Sequence, residues 1–507
     1  MSRGRTRAAL LAATIAALAS RAQATALDAT RAASASANVA EEARILQLAR
    51  RATFGATPEL RDEIRQLGRA RWLDQQLAPG AITDRALAER LAVYPALGMD
   101  SAALLASYPQ AKDGSMAMDA VGRPGRVLAE VSSDLVTRAV HARAQLSEVM
   151  TDFWLNHFSV FAADGPNRWA GVSWVRDSIR PHGLGRFRDL LGATASGPAM
   201  LYYLDNYLST AEGARTRRKS SGLNENYARE LMELHTLGVT GGYTQADVEE
   251  VARVFTGWTI TPLRSGRIEF VFAPWLHDGG AKTVLGRRIA PGGRAEGEAV
   301  LDLLAREPAT AEHVVRKLVS RFVADVPPEA LVQRAKQVWL RTDGDLAQVM
   351  RTILESDELF RASSRGAKVK SPLELVASAL RAAGADVRLG LVPARLVADL
   401  GQPILRAEPP TGWQETADAV VTAGGMVTRF DVATQIARNR VPGVRIDASR
   451  WASLARGAGG VDALAQEILL APPSDATRAA LVEARDAGAT PELLAALVLS
   501  SPEFQQQ

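Results

Sequence analysis

The 507-residue chain contains no cysteine. That absence excludes disulfides, thiolate nucleophiles, Cys-ligated zinc or iron–sulfur sites and a lipid-modified N-terminal Cys. Long apolar runs are also missing. Beyond the first segment no stretch reaches the about 20 apolar residues that cross a bilayer, so no transmembrane segment is expected in the mature chain. Strand-like alternation is rare, and only six histidines occur: His141, His157, His182, His235, His277 and His313. No Gly-x-Ser-x-Gly elbow, phosphate-cradling glycine loop or Ser-x-x-Lys set stands in a strand–turn–helix context. The His-Glu-x-x-His motif and the Glu-x-x-His pairs of di-iron bundles are absent too.

What is present begins with a secretory pattern. Arg3, Arg5 and Arg7 precede an apolar run from Ala8 to Ala19 and the small-residue site Ala22-Gln23-Ala24. A basic n-region, a short h-region and an A-x-A site predict a Sec-type signal peptide over 1–24, and hence a periplasmic or extracellular protein. The arginines are not adjacent, so nothing points to a twin-arginine route. The first 24 residues hold four basic residues and no acidic one, so their removal takes 60 basic residues to 56, against 56 acidic. A neutral mature chain has no global field to attract phosphate backbones, and no nucleic-acid partner is expected.

Residues 25–40 are small and polar and read as a flexible leader. From Glu41 to the C-terminus apolar residues recur at three and four, as in Ile45-Leu46-Leu48-Ala49, Leu60-Ile64-Leu67 and Trp72-Leu73-Leu77, with Pro and Gly as stops. Further helices are expected at 299–305, 311–323, 346–354, 372–383 and 476–485. Ile268 to Phe272 alternates, and a turn at His277-Asp278-Gly279-Gly280 leads to Lys282 to Leu285, which predicts a β-hairpin or small sheet near 266–290. The predicted fold is mainly α: one large helical domain over 41–507 with a minor β element. Two stretches read as loops with content: the basic 209–223 segment, and the rigid 406–416 turn that presents Trp413.

The run from Asn224 to Val239 (NENYARELMELHTLGV), followed by Gly241-Gly242-Tyr243-Thr244-Gln245 and Phe255-Thr256-Gly257-Trp258, resembles the bacterial family catalogued as domain of unknown function 1800. Arg51 to Gly55, Phe153 to Phe158, Tyr203 to Asn206, His277-Asp278 with Lys282, and Pro410 to Trp413 are similar to the same family, over roughly 45–505. Gln414 and Val420 depart from it, standing where Pro and an aromatic residue are usual. The resemblance implies an exported bacterial protein of a family with no assigned activity.

A helix through 224–238 would place Asn226, Arg229, Glu230 and Glu233 on one face and Tyr227, Leu231 and Leu234 on the other. Converging on a pocket, the two carboxylates would serve as general acid and base or bind a divalent cation through oxygen, with Arg229 and Asn226 orienting a substrate. The same spacing, with Glu225, Arg229 and Glu233 each four apart, also makes a solvated ion-pair ladder. Glu233 and His235 lie about 200° apart on a helix and cannot share one metal ion. His277 and Asp278, in a predicted turn beside Lys282, are candidates for catalysis or ligation, although an Asp-Gly turn is equally ordinary. His157 and His235 fit packed core positions, and Asp205 fits a helix end or an Asx-turn. Thr244 and Asp247 predict an N-cap opening the helix from Ala246 to Phe255. Trp258, Trp275 and Trp413 suit either a carbohydrate-binding face or the core. Two functions follow as expectations: an envelope or extracellular hydrolase using carboxylates, or a non-catalytic secretion, assembly or surface-binding protein. An envelope polymer or a protein would be the partner.

Overall fold

The computed structural model describes residues 37–110, 123–214 and 222–507, with residues 263 and 423 described by their backbone alone. The expected signal peptide, most of the 25–40 leader and the basic residues Arg215 to Lys219 lie outside them. Residues 37–40, read as leader in the sequence, are helical and continuous with a helix that runs to residue 52. The cause is downstream. Ile45, Leu48, Ala49 and Ala52 are buried, and a helix anchored by such a face extends backward one backbone bond at a time.

Helices dominate, and the sequence signals place them well. The expected segments appear as Arg294–Arg306, Pro308–Phe322, Leu346–Leu354, Pro372–Ala382 and Asp475–Asp486. Their ends follow local chemistry. Thr244 and Asp247 form the predicted capping box of helix Gln245–Val254, and Ser371 and Glu374 form another ahead of Pro372 at the start of helix Pro372–Ala382. One contiguous cluster of buried apolar side chains runs from Ile45 to Phe504. No described helix is long and apolar enough to cross a membrane.

The small β elements pair differently from the expectation. Phe270–Phe272 is antiparallel to Trp258–Ile260, and Lys282–Val284 is antiparallel to Arg287–Ile289. A third two-stranded pair joins Asp386–Val387 to Val444–Arg445. The 277–280 stretch does not close a hairpin because the end of helix Gln245–Val254 holds it. Asp278 N–H donates to Thr256 Oγ1 at 2.8 Å, and His277 Nδ1 lies 2.9 Å from the Thr256 carbonyl oxygen. The tight turn falls instead at Leu285 (φ 50°) and Gly286 (φ 71°), both left-handed, as a two-residue hairpin needs. Asp247 accepts the Leu285 N–H at 2.7 Å and steadies the less favourable leucine.

The family-like helix at 224–238 is shorter than its periodicity suggests, spanning Glu225–Glu233. Thr236 Oγ1 donates to the Leu231 carbonyl at 2.7 Å, His235 N–H reaches back to Glu230, and Gly238 N–H to Met232. These bonds divert the chain into a wide turn that carries His235 inward, where it is buried.

Candidate active site

Helix Gln145–His157 organises the interior. Val149, Met150, Phe153 and Trp154 are buried, and Trp154 Nε1 donates to the Gly183 carbonyl at 2.9 Å. Phe54 N–H donates to Gln145 Oε1, which docks the Arg51 to Gly55 segment on the helix start. The opposite end presents Asp152 and Asn156 to a cavity of about 70 Å³, also walled by Ser371, Leu405, Trp413 and Glu415. That volume holds a few waters or one reacting group, since each water needs about 10–15 Å³.

The Pro409 to Trp413 turn is clamped onto this helix by one side chain. Asn156 Oδ1 accepts the Trp413 N–H at 2.7 Å, and its Nδ2 donates to the Trp413 carbonyl at 2.9 Å and to Glu415 at 3.2 Å. Gly412 has φ +72°, and a Cβ there would come within 2.4 Å of Asn156. Only glycine supplies both the left-handed backbone and the close approach. Tyr203 Oη donates to the Glu408 carbonyl at 2.5 Å and secures the start of the turn.

Behind the cavity wall Arg321, 4% exposed, faces three carboxylates. It pairs with Glu374, and lies 3.6 Å from Asp152 and 3.7 Å from Glu415. Burial would push Glu374 up, but Arg321, the Ser371 N–H and the Gln507 amide outweigh it and hold that carboxyl at about 2. Asp152 goes the other way. Burial, with the charges of Glu415 and Glu374, overcomes Arg321 and pushes Asp152 up to about 7. The Arg321 Nη2 atom is buried without a hydrogen-bond partner. The arrangement therefore offers a carboxyl that can hold or release a proton near neutrality, a second carboxylate, and a buried cation shared between them.

One helical turn before Arg321, Lys317 reaches a histidine cluster. Its Nζ lies 2.9 Å from His157 Nδ1 and donates to it, since an ammonium has no lone pair. His157 Nε2 then carries the ring proton toward the His235 carbonyl at 3.2 Å. His235 and His313 each lie 6.2 Å from the His157 ring, centroid to centroid. Burial pushes His157 well below its usual range, His235 down to about 3, and Lys317 down to about 8. Burial favours the neutral form of all three rings, and His235 Nε2 is buried without a hydrogen-bond partner.

The residues singled out in the sequence are brought together only in pairs. Arg229 turns to Glu225 at 3.4 Å and to Gln245 at 2.8 Å, while Asn226 is exposed. Glu230 is half-buried, and burial with the neighbouring Glu233 raises its carboxyl. Glu233 accepts a long bond from Tyr243 at 3.4 Å. None of these four lines the carboxylate cavity. The side chain of His277 is buried, with Nε2 lying 3.1 Å from Glu296, and Glu296 also binds Lys282 at 2.5 Å. Asp278 forms a two-pronged pair with Arg253 at 2.8 and 3.2 Å, which holds its carboxyl low, and with Arg253 lines a separate cavity of about 370 Å³. Asp205 is exposed in a left-handed conformation, whereas its neighbour Asn206 is buried and donates to Phe255 and Trp258 carbonyls. Among the described residues, no group of three or more His, Asp or Glu side chains is arranged to hold a metal ion.

Sequence reasoning missed Asp152, Arg321, Lys317, Glu374 and Glu415. The one available signal was proximity: Asp152 stands just before the Phe153 to Phe158 segment, and Glu415 just after Gly412-Trp413. The family described as "Protein of unknown function (DUF1800)" matches residues 47–506. No curated protein and no solved structure matches the chain.

Proposed function

From the premise that the chain belongs to the DUF1800 family, we propose that it is an exported envelope or extracellular hydrolase whose acid–base pair is Asp152 and Glu415. The observation that carries this reading is Asp152: a cavity-lining carboxyl, raised to about 7 by burial, that faces Arg321 and a second carboxylate. A carboxyl with that affinity keeps its proton long enough to give it to a leaving group. Glu415 takes a proton from the attacking water. Arg321, which faces Asp152 at 3.6 Å and Glu415 at 3.7 Å from behind the cavity wall, acts on the reaction by tuning and holding these two carboxyls. Asn156 and Gly412 position the turn that carries Glu415. The 70 Å³ cavity admits the scissile group and leaves the rest of the substrate outside, as suits an envelope polymer attacked at one bond.

One observation favours a non-catalytic surface binder instead. Trp275 is 70% exposed on the Pro274–Leu276 turn, and the Leu276 carbonyl accepts the Ala211 N–H at 2.8 Å. An indole held outward in this way suits contact with a glycan or a protein.

The decisive experiment incubates the purified protein, Asp152→Asn and Glu415→Gln with peptide, glycan and ester fragments of bacterial envelope and reads released products by mass spectrometry. The expected result is turnover of one class by the wild type and a loss of about 10²-fold or more in each variant. Undiminished turnover by Asp152→Asn, or none by the wild type on any class, removes this site from the function.

A further inference from the structure

A second polar site lies away from the carboxylate cavity, where segment 368–370 pairs with the C-terminal residues. Lys368 N–H donates to Gln507 and Lys370 N–H to Gln505, while Arg429 binds the Lys370 carbonyl at 2.8 Å. This pairing draws the Lys370 side chain under the chain end, leaving the residue 6% exposed. Its ammonium sits 3.7 Å from the centre of the Phe504 ring. No described residue forms a hydrogen bond or an ion pair with that ammonium. Lys370 lines a cavity of about 20 Å³ together with Arg50, Phe504, Glu503, Gln506 and the Gly55-Ala56 backbone.

The nearby carboxylates are hydrogen-bonded to other partners, although Glu503 lines the cavity itself and the Glu374 charge also acts on Lys370. Glu503 Oε1 accepts the Ser474 N–H and Oε2 accepts Thr477 Oγ1, both at 2.9 Å. Glu374 is taken by Arg321, the Ser371 N–H and Gln507. Arg50 has spent Nη2 on the Leu469 carbonyl and meets no carboxylate. Two cations and one carboxylate, Glu503, thus border one small space with a net positive charge, and burial depresses both cations, Lys370 to about 7 and Arg50 to about 10. An uncompensated buried charge costs several kcal/mol, so a site that keeps one is built around a counter-charge or gives up its proton.

We infer that this cavity is a binding site for a single halide ion, chloride in the protein's working environment, held between Lys370 and Arg50 beside Phe504. The volume decides the class. About 20 Å³ accommodates one water-sized particle, and phosphate, sulfate and carboxylates are too large. The excess positive charge of Lys370 and Arg50 favours an anion over water at that point. The ion ties the 368–370 segment and the chain end to the first helix, which brings Arg50 and Gly55 into the same wall.

The test uses the full protein at constant ionic strength, with chloride exchanged for gluconate, which is too large to enter. The expected result is a melting temperature that rises by about 1–2 °C for each tenfold excess of chloride over its Kd. In Lys370→Met, which keeps the aliphatic packing on Phe504, the difference between chloride and gluconate should vanish. Crystals of the wild type soaked in bromide should show an anomalous peak between Lys370 and Arg50, a readout that does not depend on how the variant folds. Equal melting in both salts, a Lys370→Met protein that keeps the chloride response, or bromide bound elsewhere but not here would each overturn the inference.

Discussion

Helix Glu225–Glu233 and helix Gln145–His157 carry the same kinds of side chain. The first has Asn226, Arg229, Glu230 and Glu233; the second has Asp152 and Asn156 and meets Arg321, Glu374 and Glu415. On the first helix the arginine is spent on the surface ladder with Glu225 and Gln245, and Glu230 rises only modestly. Around the second helix one arginine with 4% exposure serves three carboxylates, and its neighbours are driven apart, Glu374 to about 2 and Asp152 to about 7. The difference lies in what packs on top. Helices Pro308–Phe322 and Pro372–Ala382 and the 406–416 turn remove water from Arg321 and Glu374 and part of it from Asp152 and Glu415, whereas the Arg229 and Glu225 side chains are 40% exposed among the described residues. Acid–base reactivity follows desolvation and competition for one cation, while the density of polar residues along a helix is a poor guide to it.

The largest effect that would test this contrast is on stability. Glu374→Ala leaves Arg321 with only its two longer contacts and should cost about 3–5 kcal/mol in urea unfolding. Glu230→Ala should cost less than about 1 kcal/mol. Equal costs would mean that the two clusters are energetically alike.

Glycine substitutions extend the comparison to the backbone. Gly412→Ala combines a left-handed strain with a clash against Asn156 and should cost about 2–3 kcal/mol while shifting Trp413 fluorescence. Gly242, beside the other helix, has φ +81° and nothing within 4 Å of an added Cβ, so Gly242→Ala should cost only about 1 kcal/mol.

The pH dependence sharpens the contrast further, with opposite signs from two carboxyls of one cluster. Glu374 is depressed from 4.5 to about 2, so its contribution is present above pH 4.5 and is lost as pH falls through 2. Asp152 is raised from 3.8 to about 7, so its contribution is complete below pH 3.8 and is lost as pH rises through 7, at up to about 1.4 kcal/mol per pH unit. Together they place the cluster's best stability near pH 4–5. Unfolding curves across pH should lose the decline between about 4 and 7 in Asp152→Asn. A decline that persists unchanged in this variant assigns the effect to another group.

The smallest effect is expected from Glu230→Gln and Glu233→Gln. Each should change unfolding free energy by no more than about 0.5 kcal/mol, with Glu230→Gln on the stabilising side at neutral pH because it relieves a like-charge pair. In the envelope-fragment assay both variants should retain wild-type turnover.

Much of the fold was legible because helices announce themselves locally. Thr244 with Asp247 marked a helix start, and the periodicity of 346–354 and 372–383 marked whole elements. The β pairing was not legible. Strand Phe270–Phe272 pairs with Trp258–Ile260 while Thr256 holds His277 and Asp278, a set of long-range contacts that alternation does not encode. The length of the 224–238 helix misled for a related reason, since Thr236 and Gly238 turn the chain with bonds that look helical in sequence spacing. In the candidate site, Asp152 was hidden because a single aspartate in an apolar helix carries no motif, and its partners lie 169, 222 and 263 positions further along the chain at Arg321, Glu374 and Glu415.

By itself the sequence determined where most helices lie and how several are capped, which faces are apolar, and that cysteine chemistry is excluded. Capping, periodicity and composition are settled within a few residues, so they survive without knowledge of the fold. The tertiary structure alone decided which carboxylate keeps a proton, which histidines meet, and which strands pair. Burial is imposed by whatever segment arrives from elsewhere, and the free energy of a charge depends more on that covering than on its neighbours in the chain.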